Sequence, residues 1–188
     1  MGIRVGVVGT GFWARETHAA ALVAHPDSDL VGVWGRSFTR AAELAETVGA
    51  QAYERADDMF ADVDAVAFAA PPDVQAALAV RAATHGCHLL LDKPLAFTTE
   101  DADRVVEAVD RAGVRSLVFF TSRFTANQAD WLTEVQQTSE WNSGYVRMYG
   151  SIFEPGNPFG ESPWRRSRGW LWELAPHDLS CLVPALGP

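Results

Sequence analysis

The sequence predicts an α/β fold, a parallel sheet covered by helices, followed by an incomplete α+β region. Three observations carry that expectation. Short apolar runs of strand length alternate with helix-compatible stretches, as they do where strands are joined by crossover helices. The first run, Val5 to Val8, enters the turn Gly9-Thr10-Gly11-Phe12-Trp13-Ala14 directly. The alternation then ends with the run Leu117 to Phe120, and from Arg123 the composition turns to Trp, Arg, Pro and Gly. Residues 1–121 therefore read as one domain and 122–188 as part of a second.

The opening stretch Ile3–Val8 is a buried strand, and the turn after it has the G-x-G-x-x-A form of a dinucleotide fingerprint. Gly9 permits the sharp turn, Gly11 leaves the backbone open to a pyrophosphate, and Ala14 lets the following helix pack close to the sheet. Free N–H groups at the start of that helix, Phe12 to Ala24, suit a phosphate. A Rossmann domain is the expectation. Leu30 to Trp34 is a second strand, and Arg36-Ser37-Phe38-Thr39 leads into a helix that Gly49 stops. Ala65 to Ala69 reads as the third strand, ended by Ala70-Pro71-Pro72, because proline cannot continue a ladder. A helix over Val74–Thr84 follows, then a fourth strand over His88–Leu91 and the tripeptide Asp92-Lys93-Pro94. Thr98 or Thr99 caps a helix to Ala112, closed by Gly113, and Leu117 to Phe120 is the fifth strand.

Beyond it, a helix is predicted over Ala126–Gln137, an alternating strand over Tyr145–Phe153, and a loop over Glu154–Pro163. A Trp/Arg-rich segment, Trp164–Trp172, and a helical stretch around Pro176–Leu186 complete the chain. This region has too few strands to close a sheet. Trp164, Trp170 and Trp172 are expected on its exposed surface, which favours association into a homo-oligomer.

Composition narrows the function. A formal net charge of −9 argues against nucleic acid and anionic membrane surfaces, both of which need basic patches. No apolar run approaches membrane-spanning length, and Ile3–Val8 is too short for a secretory leader. Cys87 and Cys181 are far apart, and His85, Cys87 and His88 read as a solvent-facing turn, so no metal site is expected. A reduced, cytoplasmic protein is the expectation.

Dinucleotide sites that take NAD place an acid at the end of the second strand, about 20 residues past the glycines. Here that stretch reads Trp34-Gly35-Arg36-Ser37, with no carboxylate. Arg36, Ser37 and Arg40 offer a grip for a 2′-phosphate, because a guanidinium meets phosphate with two parallel donors. Ordinary surface charge, with Ser37 as a helix cap, is the other reading of these three. NADP is expected before NAD. Lys93, the only lysine, follows the fourth strand at the edge where ligands of open α/β sheets bind. An ammonium there can hold a substrate oxygen during proton transfer.

The chain resembles the Gfo/Idh/MocA oxidoreductases, a family that includes glucose-fructose oxidoreductase and inositol dehydrogenases. The matching features are Gly9-x-Gly11-x-x-Ala14, Pro71-Pro72, Lys93-Pro94, Arg123-Phe124 and Pro176-His177. Asp92 stands where the family usually has Glu, and Glu173, four residues before His177, stands where it has Asp. The resemblance implies hydride transfer between a nicotinamide and a carbon of a sugar- or cyclitol-like substrate. It implies His177 as general acid/base, Lys93 assisting at the same oxygen, Glu173 as the partner of His177, and Asp92 and Arg123 beside the cofactor. It also implies that 122–188 are part of a substrate and oligomerisation domain that is larger in the family. A non-catalytic dinucleotide-binding module, glycoside hydrolysis through transient oxidation, and imine reduction remain open on the same frame.

Overall fold

The computed structural model describes residues 2–138, 141–160 and 162–187. Met1, Glu161 and Pro188, which fall in stretches read above, lie outside them, as do Ser139 and Glu140. The chain divides into two compact units, Met1–Val118 and Phe119–Pro188.

The first unit is a Rossmann fold. Its strands are β1 (Ile3–Val8), β2 (Ser28–Trp34), β3 (Gln51–Tyr53), β4 (Ala65–Phe68), β5 (His88–Asp92) and β6 (Ser116–Phe119). They form one sheet in the order β3-β2-β1-β4-β5-β6. β1 pairs parallel with β2 and β4, β2 with β3, and β4 with β5. The strand order reverses between β1 and β4, which is where such sheets open a crevice at their carboxyl ends.

Successive side chains alternate across the sheet, so each strand feeds two cores. Val5, Val7, Leu30, Val33 and Ala67 meet Ala14, Ala19 and the buried residues of α2 (Phe38–Val48), Ala41, Leu44 and Ala45. On the other face Val8, Val66, Phe68, Leu89 and Leu91 meet Met59 and Phe60 of α3 (Ala56–Asp62). Two longer helices complete that face, α4 (Pro72–Thr84) and α5 (Thr99–Ala112). Each fully buried large side chain contributes about 1.5–3 kcal/mol. Gly6 and Gly32 are register partners, and a Cβ on either would come within 2.9 Å of Met59, so their lack of a side chain makes room for that residue.

Most of the expected elements are present, and three corrections apply to this unit. β3 and α3 escaped the sequence reading: β3 has three residues with only Tyr53 buried, too short to show alternation, and α3 begins Ala-Asp-Asp without a side-chain cap. The third, fourth and fifth strands of that reading are therefore β4, β5 and β6. Second, the expected helix Phe12–Ala24 is helical along its whole length, but its middle part, Ala14–Ala19, winds as a π-helix ahead of α1 (Ala20–Ala24). Third, the turn holding Cys87 does not face solvent at that residue. Cys87 is fully buried, its Sγ donates to the Phe60 carbonyl at 3.2 Å, and burial pushes the thiol up to about 11.

His18 sits on the π-helical turn, 3% exposed, edge-on to Trp13 and hydrogen-bonded to the backbone of Phe68 in β4. Burial pushes its pKa down to about 4, opposed by that hydrogen bond. Above the unfolded value of 6.5 the ring is neutral in both states. Below it the unfolded chain binds a proton that the folded chain refuses, so stability falls with falling pH until about pH 4. Urea unfolding at pH 7 and pH 4.5 should show a loss of roughly 2–3 kcal/mol, which His18→Gln should largely abolish. Equal pH dependence in the two proteins would contradict this origin.

The second unit is helical. A 3₁₀ turn, Thr121–Phe124, precedes α6 (Ala126–Gln137), and α7 (Pro163–Leu186) is broken at Gly169, where φ is 77°. Two expectations fail here. Tyr145–Phe153 is not a strand, because among the described residues of this unit no neighbouring strand takes up its backbone groups. The segment Trp164–Trp172 lies inside α7 rather than before a helix. Trp164, Trp170 and Trp172 are also half-buried rather than exposed. Arg165 lies over Trp164, Arg168 lies over Trp172, and Phe153 packs on Trp170. Tyr145 and Tyr149, by contrast, are 87% and 81% exposed.

Candidate functional site

The carboxyl ends of β1, β2 and β4 surround a cleft of about 480 Å³. Its floor continues the sheet: the Gly9 N–H donates to the Trp34 carbonyl and the Ala69 N–H to the Val8 carbonyl, both at 2.8 Å. Gly9, Thr10 and Gly11 form one wall, Ala69, Ala70, Pro71 and Val74 a second, and Trp34, Gly35, Arg36, Ser37 and Arg40 a third. Eight of the residues expected to hold a cofactor thus line one cavity: Gly9, Thr10, Gly11, Arg36, Ser37, Arg40, Ala70 and Pro71.

The two turn glycines do different work. Gly9 has φ +130°, and a Cβ there would run into the Ala69 carbonyl, so only glycine lets β1 and β4 approach this closely. Gly11 has nothing within 4 Å of a would-be Cβ. The space beside Gly11 is open, as a backbone that receives a phosphate requires. Gly9→Ala should therefore destabilise the fold by roughly 1–3 kcal/mol. Gly11→Val should leave the thermal midpoint nearly unchanged and weaken dinucleotide binding at least about tenfold. Thermal melts and cofactor titrations of both variants check the pair. An unchanged affinity in Gly11→Val would remove this turn from the binding surface.

Arg36, Ser37 and Arg40 are all exposed, and none of the residues lining the cleft carries a carboxylate. Ser37 caps α2, its Oγ accepting from the Arg40 N–H at 3.5 Å, which brings the Arg40 backbone to the same helix end. Gly35 is held small: a Cβ there would come within 2.6 Å of Thr10 Cγ2. The end of β2 therefore has no room for a longer side chain unless Thr10 moves. The sequence reading passed over this contact.

The remaining candidates lie outside the cleft lining. Phe12 is exposed, Trp13 half-buried against His18, and Ala14 fully buried under the turn, where it packs against the sheet. Pro72 is the first residue of α4. Asp92 ends β5, and its Oδ1 accepts the Lys93 N–H at 2.8 Å. Lys93 is half-buried, and the Lys93-Pro94 peptide is cis. In the second unit, Arg123 is exposed on the 3₁₀ turn. Glu173 and His177 stand four residues apart on α7. Glu173 is 7% exposed and its Oε2 accepts from Arg165 Nε at 2.9 Å. Arg165 is a partner that the sequence did not single out, although its place eight residues before Glu173 and beside Trp164 was visible.

Residues 3–120 match the model described as "Oxidoreductase family, NAD-binding Rossmann fold", that of the Gfo/Idh/MocA proteins. The chain belongs to this family. A UDP-N-acetylglucosamine 3-dehydrogenase of Acidithiobacillus ferrooxidans is 36% identical over 104 residues, 55% of this chain and 32% of that protein. A dTDP-3,4-didehydro-2,6-dideoxy-alpha-D-glucose 3-reductase of Streptomyces antibioticus is 27% identical over 99% of this chain and 57% of its own length. The solved structure of KijD10, a 3-ketoreductase of Actinomadura kijaniata with NADP and TDP-benzene, superposes with a TM-score of 0.67 at 26% identity. That match covers 73% of this chain and 43% of KijD10. The chain thus spans between about a third and somewhat over half of these relatives.

Proposed function

We propose that the chain is the cofactor-binding part, with a portion of the substrate part, of a NADP-dependent oxidoreductase acting on a ring hydroxyl or carbonyl of a sugar. Residues 1–121 would hold the dinucleotide, and 122–188 would contribute to substrate binding. The observation that carries the reading is the cleft: an open glycine turn on one wall faces two arginines and a serine on another, with no carboxylate among its lining residues. Gly11 leaves its backbone bare to a pyrophosphate. Arg36 and Arg40 supply paired donors for a 2′-phosphate, and Gly35, with no carboxylate, stands at the end of β2 where an acid would hold a ribose 2′-hydroxyl.

The nicotinamide supplies the hydride acceptor or donor when bound. Lys93 would hold the reacting oxygen through its ammonium and ease loss or gain of the proton there. His177 would carry that proton, as the side chain suited to transfer near neutral pH. Glu173, fixed in place by the hydrogen bond it accepts from Arg165, would hold the imidazole in one orientation. The three relatives named above are a 3-dehydrogenase, a 3-reductase and a 3-ketoreductase, which favours position 3 of a nucleotide-linked hexose as the reacting carbon.

The test is isotopic. The chain is incubated with NADP⁺ and UDP-N-acetylglucosamine carrying deuterium at C3, and the recovered cofactor is analysed. Deuterium at C4 of the reduced nicotinamide is the expected result. Cofactor that binds and gains no label from this or other labelled hexoses or cyclitols would reduce the chain to a dinucleotide-binding module.

A further inference from the structure

Gln75 is wholly buried on α4, in a helix whose other buried residues are apolar. Its side chain is spent on one loop. The amide nitrogen Nε2 donates to the Asp92 carbonyl at 2.8 Å and the Leu95 carbonyl at 3.0 Å, with the Pro94 carbonyl at 3.4 Å. The Asp92 N–H donates back to Oε1 at 2.8 Å. The reason for this arrangement lies in the sheet. β4 and β5 pair only as far as Ala67 with Leu90, so strand pairing with β4 stops short of Asp92. The carboxamide presents one donor edge and one acceptor to Asp92, which is what a neighbouring strand would have presented. The Lys93 N–H, next in line, is held by the Asp92 carboxylate.

α4 also reaches the cleft. Pro71 and Val74 line it, and the Gln75 N–H donates to the Pro71 carbonyl at 2.8 Å. One helical turn therefore touches the dinucleotide wall with one residue and the lysine loop with the next. We propose that Gln75 is a positioning residue that fixes the Asp92–Leu95 loop, and so Lys93, relative to the cleft. The role assigned to Lys93 rests on the proposed function; the placement of its loop by Gln75 does not.

The single lysine makes the test direct. The full chain is grown with ¹³C,¹⁵N-lysine, so that one amide signal and one ε-methylene signal report Lys93 alone. Gln75→Met keeps the volume and removes all four contacts; Gln75→Glu keeps the shape and the acceptor. In Gln75→Met both Lys93 signals should move or split, and their response to NADPH should shrink, with the far-ultraviolet spectrum unchanged. In Gln75→Glu the shift should be smaller, since Asp92 retains its acceptor. A residue needed only for stability would lower the melting temperature and leave the lysine signals and their NADPH response as in the wild type, which would overturn the proposal. If Gln75→Met does not fold, unmoved signals in Gln75→Glu overturn it equally, and moved ones support it. Undiminished hydride transfer in Lys93→Met would instead sink the functional reading of the lysine and leave the result for Gln75 standing.

Discussion

Lys93→Met should lower hydride transfer by roughly 10²–10⁴-fold while changing NADPH affinity far less. The side chain follows the last residue of β5 at the carboxyl edge of the sheet, and its backbone is pinned by Asp92 and, through the loop, by Gln75. A chain segment held by that many hydrogen bonds presents its lysine in one place, and a charge in a fixed place is what stabilises an oxygen as its proton leaves. Methionine keeps the length and removes the ammonium. Lys93→Arg should recover little, because the guanidinium is broad and planar where the ammonium is a compact point charge. Single-turnover kinetics beside a cofactor titration separate the two effects. An equal loss in binding and in rate would assign Lys93 to holding the cofactor rather than to the proton-transfer step.

The double variant Arg36→Ala/Arg40→Ala should weaken NADPH binding roughly 100-fold and leave NADH binding within about threefold. At exposed side chains each guanidinium that meets a phosphate dianion contributes about 1.5 kcal/mol as a charged hydrogen bond, so losing both removes about 3 kcal/mol, the order of 100-fold. Both side chains are exposed, so their removal opens no cavity and the melting temperature should hold. A proportional loss for both cofactors would mean that the arginines act on the shared pyrophosphate, not on the 2′-phosphate. Raising salt should weaken NADPH binding more than NADH binding, since the exposed guanidinium–2′-phosphate pairs are screened within about 10 Å at 0.1 M in addition to the pyrophosphate that both cofactors share.

Much of the first unit was legible in the sequence because its signals are local. The strand β1 feeds a glycine turn, Thr98 and Ser37 cap their helices, and Gly49 and Gly113 end theirs in the left-handed conformation. What escaped were features that exist only through tertiary contact. β3 is stabilised by pairing with β2 and by the burial of Tyr53, not by its own pattern. Cys87 looked like part of a polar turn until Phe60 and Val63 closed over it. The alternation in Tyr145–Phe153 was real, but a strand needs a partner as well as a pattern. Trp164, Trp170 and Trp172 looked exposed because their covering arginines and Phe153 are non-local or charged.

For the site, residue types and spacing carried the glycine turn, Arg36, Ser37, Arg40 and Lys93. The contacts that support them were less visible. Gln75 was the one polar residue on the buried side of an alanine-rich helix, a signal present in the sequence but silent about its target. The packing of Thr10 on Gly35 and the pairing of Arg165 with Glu173 join residues whose relation only the fold defines.

The most direct measurement is a fluorescence titration of the full chain with NADPH and, separately, NADH. Seven tryptophans, with Trp34 on the cleft wall and Trp13 beside the glycine turn, serve as donors for energy transfer to the reduced nicotinamide. Saturable transfer with NADPH at a concentration at least about tenfold below that needed for NADH is the predicted result. Saturation by neither cofactor would contradict the claim that this cleft binds a dinucleotide, and tighter binding of NADH would contradict the assignment of Arg36, Ser37 and Arg40 to a 2′-phosphate.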